Sequence, residues 1–127
     1  MRLLLDTHTI LWFFDEVNNL SEAAYKAIMN PGNEKYVSIA SAWEVAIKIS
    51  LEKLSFTGGT ANFLAAVEES GFTLLPIKGE YVKLVESLPF LHRDPFDRML
   101  VVSAVYEGMC LVSADTNIQK YDASIIW

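Results

Sequence analysis

The sequence predicts an α/β domain of three layers, with helices on both faces of a central, mainly parallel sheet of about five strands. Short apolar runs, each too short for an independent helix, alternate with segments that carry helix start and stop signals. Such alternation requires crossover connections, which join parallel strands. The runs are continuously apolar, as expected of strands covered on both faces. The candidate strands are residues 2–5, 36–39, 72–75, 109–112 and 124–127.

The helices in the first half of the chain are predicted from residues that can cap their amino ends. Ser21 can cap a helix over residues 22–29. Ser41 is expected to cap a longer helix that runs to about Leu54, because apolar residues recur along one stripe of this segment. Thr60 then opens a further helix.

The helices in the second half are predicted from proline and glycine. Apolar residues keep helical spacing from Tyr81 until Pro89 interrupts the pattern. Asp94 followed by Pro95 is a strong start signal, because the first turn of a helix tolerates the missing N–H of proline. Gly108 is expected to end that helix.

Composition indicates one globular domain over residues 1–127. The chain is 52% hydrophobic and 20% charged, which excludes disorder, and it carries a net charge of −6. Cys110 has no possible intrachain partner, so a disulfide framework is excluded and a reducing compartment is favoured. No apolar run approaches the ~20 residues of a membrane span, so we expect a cytoplasmic protein that binds no membrane. The acidic balance also argues against a broad basic face for nucleic acid.

Four acids lie at junctions between predicted strands and helices. Asp6 directly follows the first strand, and Asp115 comes shortly after the strand at 109–112. Glu44 and Asp97 are placed in the first turns of their helices. Because the carboxyl ends of parallel strands meet at one edge of a sheet, we expect the four side chains to lie close together.

Each acid also has an ordinary explanation. Asp6 and Asp115 are suited to caps or turns, and Asp97 is favoured by the helix dipole. Ser41 and Glu44 match a capping box, in which the glutamate reaches back to the serine N–H.

Taken together, the four acids point to a cation site. Converging carboxylates repel one another unless a cation neutralises them or they take up protons. Oxygen ligands without a Cys or His cluster suit Mg²⁺, with Mn²⁺ as a substitute. Such an ion can activate water and stabilise charge on phosphate, so the pattern points to phosphodiester hydrolysis. His8 and His92 lack a partner spacing for metal, and Cys110 is expected in the core.

Four motifs carry a family resemblance. They are Leu-Leu-Leu-Asp6-Thr7, Ser41-Ala-Trp-Glu44-Val-Ala-Ile-Lys48, His92-Arg-Asp94-Pro-Phe-Asp97-Arg98 and Ser113-Ala-Asp115. In this order and spacing the chain resembles the PIN-domain ribonucleases, and more narrowly the VapC-type toxins of bacterial and archaeal toxin–antitoxin pairs.

The resemblance implies a function and a set of site residues. It implies a PIN-like fold and a Mg²⁺-dependent endoribonuclease that acts as a toxin, with a cognate antitoxin partner and a homodimer. The metal-binding and catalytic residues would be Asp6, Glu44, Asp97 and Asp115. The chain departs from the family pattern at His8, where many members have a small polar residue, and at Asn117, where some have a further acid. Asp94 is expected to act as an N-cap.

Several polar residues near the acids could position substrate. Lys48 could place an RNA phosphate or form an ion pair with Glu44 one turn earlier. Arg98 could hold a phosphate bidentately or pair with Asp94. Thr7 and Ser113 could hydrogen-bond the acids or bound water, or make local turn bonds.

Two apolar stripes suggest a protein interface. Residues 10–14 and the stripe of Trp43, Ile47, Leu51 and Leu54 give their helices more apolar surface than one core face needs. Core packing explains this surface too, but aromatic anchors favour an interface slightly.

Two other functions remain open on the sequence alone. Haloacid-dehalogenase-like phosphatases also place a nucleophilic Asp after a first strand, as at Asp6, although they usually have a second acid where this chain has His8. A non-catalytic α/β module that binds a protein partner would use the four acids only as caps.

Overall fold

The fold consists of five strands and six α-helices, which the computed structural model describes over residues 1–127. No helix combines the length and the apolar character that crossing a bilayer would require. The strands are β1 (Arg2–Leu5), β2 (Glu34–Ser38), β3 (Thr73–Leu75), β4 (Cys110–Val112) and β5 (Ile125–Ile126). The helices are α1 (Thr7–Asp15), α2 (Glu22–Met29), α3 (Ile39–Ser50), α4 (Gly59–Glu69), α5 (Gly79–Ser87) and α6 (Pro95–Glu107).

All five strands are parallel, which confirms the predicted sheet. Their order is β3-β2-β1-β4-β5. Leu5 at the end of β1 is in register with Val37 of β2 on one side and Val112 of β4 on the other. The chain moves to one side of β1 for β2 and β3 and to the other side for β4 and β5. The carboxyl end of β1 is therefore the point at which the strand order reverses, where open α/β sheets bind ligands.

Two hydrophobic clusters cover opposite faces of the sheet. Leu3 and Leu5 belong to the cluster that packs against α1 to α4, whereas Leu4 belongs to the cluster that packs against α5 and α6. Successive side chains of a strand point to opposite faces, so β1 contributes to both clusters and is completely buried from Leu3 to Leu5. The three predicted layers are confirmed, and Cys110 lies in the core as expected.

The start of α3 differs from the prediction. The helix begins at Ile39, where a strand was expected, because the Ser38 hydroxyl oxygen accepts a hydrogen bond from Ala40 N at 3.0 Å. Ser38, and not Ser41, is therefore the N-cap. The helix also ends at Ser50 rather than near Leu54.

The apolar stripes lie in two different environments. Residues 10–14 of α1 pack against the core cluster, and Ile10 is fully buried, whereas residues 11–14 stay partly exposed. On α3, Trp43 and Leu51 are 59% and 57% exposed. The interface expectation stays a prediction for both stripes.

Glu107 joins elements at the edge of the sheet opposite to the carboxyl ends. Its carboxylate accepts hydrogen bonds from the buried Tyr81 hydroxyl at 2.5 Å and from Lys78 Nζ at 2.8 Å. Arg2, at the start of β1, donates to its backbone carbonyl at 2.6 Å. These contacts fix the end of α6 against α5 and β1.

Candidate active site

A polar pocket lies beyond the carboxyl ends of β1 and β4. It has a volume of about 150 Å³ and no hydrophobic residue in its lining. The structure brings all four sequence-predicted acids, Asp6, Glu44, Asp97 and Asp115, into this lining together with Asp94. The remaining lining residues are Thr7, His8, Lys48 and His92.

Asp6 is held at the junction of β1 and α1. It is the N-cap of α1, and its Oδ1 accepts a hydrogen bond from Thr9 N at 2.8 Å. Its Oδ2 accepts a hydrogen bond from the Ser113 hydroxyl, which follows β4. Asp6 is only 3% exposed, and this burial raises its pKa, although the Ser113 and Thr9 hydrogen bonds oppose the shift. Asp6 is therefore an N-cap, as the ordinary explanation predicted, and it also lines the pocket.

Glu44 projects from the second turn of α3. Its Oε1 accepts a hydrogen bond from the Thr7 hydroxyl at 2.7 Å, and its Oε2 lies 2.8 Å from Lys48 Nζ. The capping-box explanation was wrong, because Ser41 lies inside the helix and its Oγ is 2.9 Å from Thr7 Oγ1. Glu44 is free of any capping role and reaches the pocket.

Asp97 lies in the first turn of α6. Asp94 caps this helix as expected, with its Oδ1 accepting hydrogen bonds from Phe96 N at 2.8 Å and Asp97 N at 3.0 Å. Burial raises the pKa of Asp97 to about 7, and the negative charge of Asp94 adds to the shift. The pocket therefore opposes the charge on Asp97 when no cation balances its acids.

Asp115 closes the turn that follows β4. Its backbone N–H donates to Ser113 Oγ at 3.0 Å, and its Oδ1 accepts a hydrogen bond from Asn117 N at 2.7 Å. Asn117 acts through its backbone here and is absent from the pocket lining. Ser113 thus contacts both Asp6 and the turn that carries Asp115, so it sets the relative position of two acids.

His92 is a site residue that sequence reasoning missed. Its Nε2 lies 2.9 Å from Asp97 Oδ2, and its backbone N–H donates to the Tyr121 hydroxyl at 3.1 Å. Ligand atoms of His92, Asp94 and Asp97 all lie within 4.8 Å of one another. Histidine spacing alone does not reveal this group, because the neighbours of His92 are carboxylates two and five residues later, at the start of α6.

Arg98 does not take the position expected of it. Its guanidinium is buried, at 7% exposure, and donates to the carbonyls of Pro89 at 3.0 Å, Val85 at 3.2 Å and Leu88 at 3.3 Å. It also donates to the Tyr121 hydroxyl at 3.1 Å. The pairing with Asp94 is absent and Arg98 does not line the pocket, so this arginine ties α6 to the end of α5 and to the start of the loop between them.

The donor set fits a hard divalent cation. Five carboxylates face one pocket, and Lys48 is the only lysine or arginine in its lining. Carboxylate oxygens suit Mg²⁺ or Mn²⁺, and a histidine nitrogen is better tolerated by Mn²⁺. Thr7 and Ser113 hold Glu44 and Asp6 from outside, as the outer partners of metal ligands do.

Comparison with known proteins identifies the family. Residues 3–124 match the PIN domain. The chain is 29% identical over 122 residues to Ribonuclease VapC22 of Mycobacterium tuberculosis (strain ATCC 25618 / H37Rv), covering 94% of this chain and 91% of the relative.

Solved structures agree on the fold. The chain superposes with a TM-score of 0.75 and 13% identity on VapBC2 from Rickettsia felis, bound to a DNA fragment from their promoter, covering 99% and 98% of the two chains. With VapBC-1 from nontypeable Haemophilus influenzae the TM-score is 0.71 at 14% identity, covering 99% and 97%. The haloacid-dehalogenase-like alternative is therefore wrong, and the chain belongs to the PIN domain family.

Proposed function

We propose that this protein is a metal-dependent endoribonuclease that hydrolyses RNA phosphodiester bonds and acts as the toxin of a toxin–antitoxin pair. The observation that carries the proposal is the convergence of Asp6, Glu44, Asp97 and Asp115 on one polar pocket at the strand-order reversal. Similarity to a VapC ribonuclease over most of the chain supports the reaction class. Neighbouring structures that are VapBC assemblies support an antitoxin as the partner.

The four acids would hold Mg²⁺, with Mn²⁺ as a substitute, and His92 is placed to join them. When bound, the ion would lower the pKa of a water molecule and stabilise negative charge at the scissile phosphate. Thr7 fixes Glu44 and Ser113 fixes Asp6, so these hydroxyls orient ligands rather than substrate. Lys48 remains the candidate for a phosphate contact, because its ammonium lines the pocket and its side chain is 38% exposed.

The proposed setting is cytoplasmic, with a homodimer as the assembly. The unpaired Cys110 is consistent with a reducing compartment. The exposed Trp43 and Leu51 of α3 give an apolar surface suited to a second copy of the chain. Analytical ultracentrifugation of the Trp43→Glu variant tests the dimer, which the buried charge should dissociate.

The function is tested with purified protein and a pool of single-stranded RNA. Wild-type protein should cut RNA in Mg²⁺ or Mn²⁺ and not in EDTA, and sequencing of the new ends should locate the cut sites. The Asp97→Asn variant should lose cleavage while keeping its circular dichroism spectrum. Asp15→Asn is the matched control, because Asp15 is an exposed acid outside the pocket. Cleavage by Asp97→Asn at the wild-type rate would contradict the site assignment.

A further inference from the structure

An aromatic surface leads out of the acidic pocket along α1. His8 lines the pocket and is exposed. Its ring stacks on the indole of Trp12 one turn later, with ring centroids 5.7 Å apart and an angle of 22° between the planes. Trp12 in turn contacts Trp127, with centroids 5.8 Å apart. The three rings thus form a continuous surface that begins at the metal-binding acids.

The stack holds His8 in a defined orientation. Trp12 is half-buried and packs against the main core cluster, so its indole is a fixed support. The imidazole lies beside the indole in an offset stack, and the exposure of His8 leaves part of its ring open to a planar ligand.

The charge of the pocket favours such a contact. The chain carries a net charge of −6, and Lys48, the only lysine or arginine in the pocket lining, is paired with Glu44. Phosphate contacts alone therefore give RNA little affinity for this edge of the protein. Base stacking on aromatic rings is the usual source of affinity for single strands where charge does not supply it.

Building on the proposed ribonuclease function, we propose that His8, supported by Trp12, stacks an unpaired nucleobase of single-stranded RNA beside the scissile phosphate. The contact is a base-binding subsite and takes no part in bond cleavage. A base in a duplex is already stacked between its neighbours and cannot occupy the imidazole face, so the subsite selects unpaired RNA.

The test measures KM and kcat separately on an oligonucleotide centred on a cut site found with the RNA pool. Stacking that is equal in the ground state and the transition state affects KM and leaves kcat unchanged. For His8→Ala we expect KM to rise about 5-fold or more, from the typical strength of base stacking on aromatic rings, with kcat within about 2-fold. His8→Phe should restore KM, because it keeps a planar ring. Tyr25→Ala, at an exposed aromatic of α2 outside the pocket, should match wild type.

A second arm locates the contact on the RNA. Oligonucleotides with a single abasic position should show a raised KM with wild-type protein at one site next to the cut, and no further rise with His8→Ala. An unchanged KM for His8→Ala, or a His8→Phe variant as impaired as His8→Ala, overturns the stacking subsite while wild-type cleavage keeps the ribonuclease proposal. Absence of any Mg²⁺-dependent cleavage by wild-type protein overturns both.

Discussion

Replacement of Arg98 tests whether this residue serves stability or phosphate binding. Arg98→Met keeps an unbranched apolar stem but removes the donors to three backbone carbonyls and the Tyr121 hydroxyl. It also removes the guanidinium from above the Phe90 ring, where the distance to the centroid is 4.8 Å. Hydrogen bonds to a charged group contribute roughly 1.5–3 kcal/mol each, but the carbonyls at the end of α5 and of the exposed Pro89 regain part of this from water.

We therefore expect Arg98→Met to lower the free energy of unfolding by about 3 kcal/mol, because four neutral acceptors lose a charged donor. For a domain of this size, that corresponds to a fall in Tm of roughly 12 °C. Arg98→Lys should give a smaller loss, because an ammonium cannot reach all four acceptors at once. Thermal unfolding followed by circular dichroism measures the Tm of both variants. Arg93→Met is the matched control, because Arg93 is exposed.

The opposite outcome would refute this reasoning. A phosphate-binding arginine would leave Tm unchanged on replacement and would raise KM for RNA cleavage. If Arg98→Lys keeps the wild-type Tm and raises KM, measured well below the Tm, then Arg98 contacts substrate and its backbone contacts do not stabilise the fold.

Two further predictions concern Ser113 and Glu107. Ser113→Ala removes the hydroxyl that donates to Asp6 and should weaken Mn²⁺ binding about 10-fold by isothermal titration calorimetry. The control is Ser103→Ala, because the buried Ser103 hydroxyl bonds only within α6 and its loss should leave Mn²⁺ affinity unchanged. Equal Mn²⁺ affinities in the two variants would contradict the role of Ser113. Hydrogen bonds from Lys78 and Tyr81 lower the pKa of Glu107 in the folded protein from its ordinary 4.5. The ionised Glu107 therefore stabilises the fold above pH 4.5, and this stabilisation is lost as the pH falls through the lowered pKa. Wild-type protein should therefore unfold at a higher temperature than Glu107→Gln at neutral pH, with the difference vanishing in acid, and a difference that persists in acid would refute it.

The sheet and the meeting of the acids could be predicted because they follow from strand polarity. Once the short apolar runs are assigned to parallel strands, Asp6 and Asp115 must lie at the same edge, whatever the loops do. Helix α6 could also be predicted from the sequence, since Asp94, Pro95 and Gly108 mark its ends by local chemistry alone.

The errors arose where tertiary contacts decide between local alternatives. Ser38 and Ser41 are both good N-caps, and the sequence favours Ser41 through its apparent box with Glu44. The fold instead places Ser41 and Glu44 against Thr7 of α1, and only Ser38 is left to cap the helix. Nothing in the sequence of α3 indicates where Thr7 lies in the fold.

Arg98 and His92 show a second kind of limit. Successive residues of a helix point about 100° apart, so Arg98 faces away from the pocket that Asp97 enters. Its acceptors lie on the loop before α6 and near the end of the chain, at Pro89 and Tyr121. His92 joins the pocket because this loop folds back toward Asp97. Neither placement follows from periodicity or motif spacing.

The order in which the pocket residues occur along the chain has a consequence for biosynthesis. The acids of the pocket extend from Asp6, at the first strand, to Asp115, after the fourth. Strand β4, which lies beside β1 in the centre of the sheet, follows Asp6, Glu44 and Asp97 along the chain. A chain cut short before β4 has these acids but lacks Asp115 and the central strand that positions it. Hydrolytic capacity should therefore arise only after β4 and Asp115 have been translated.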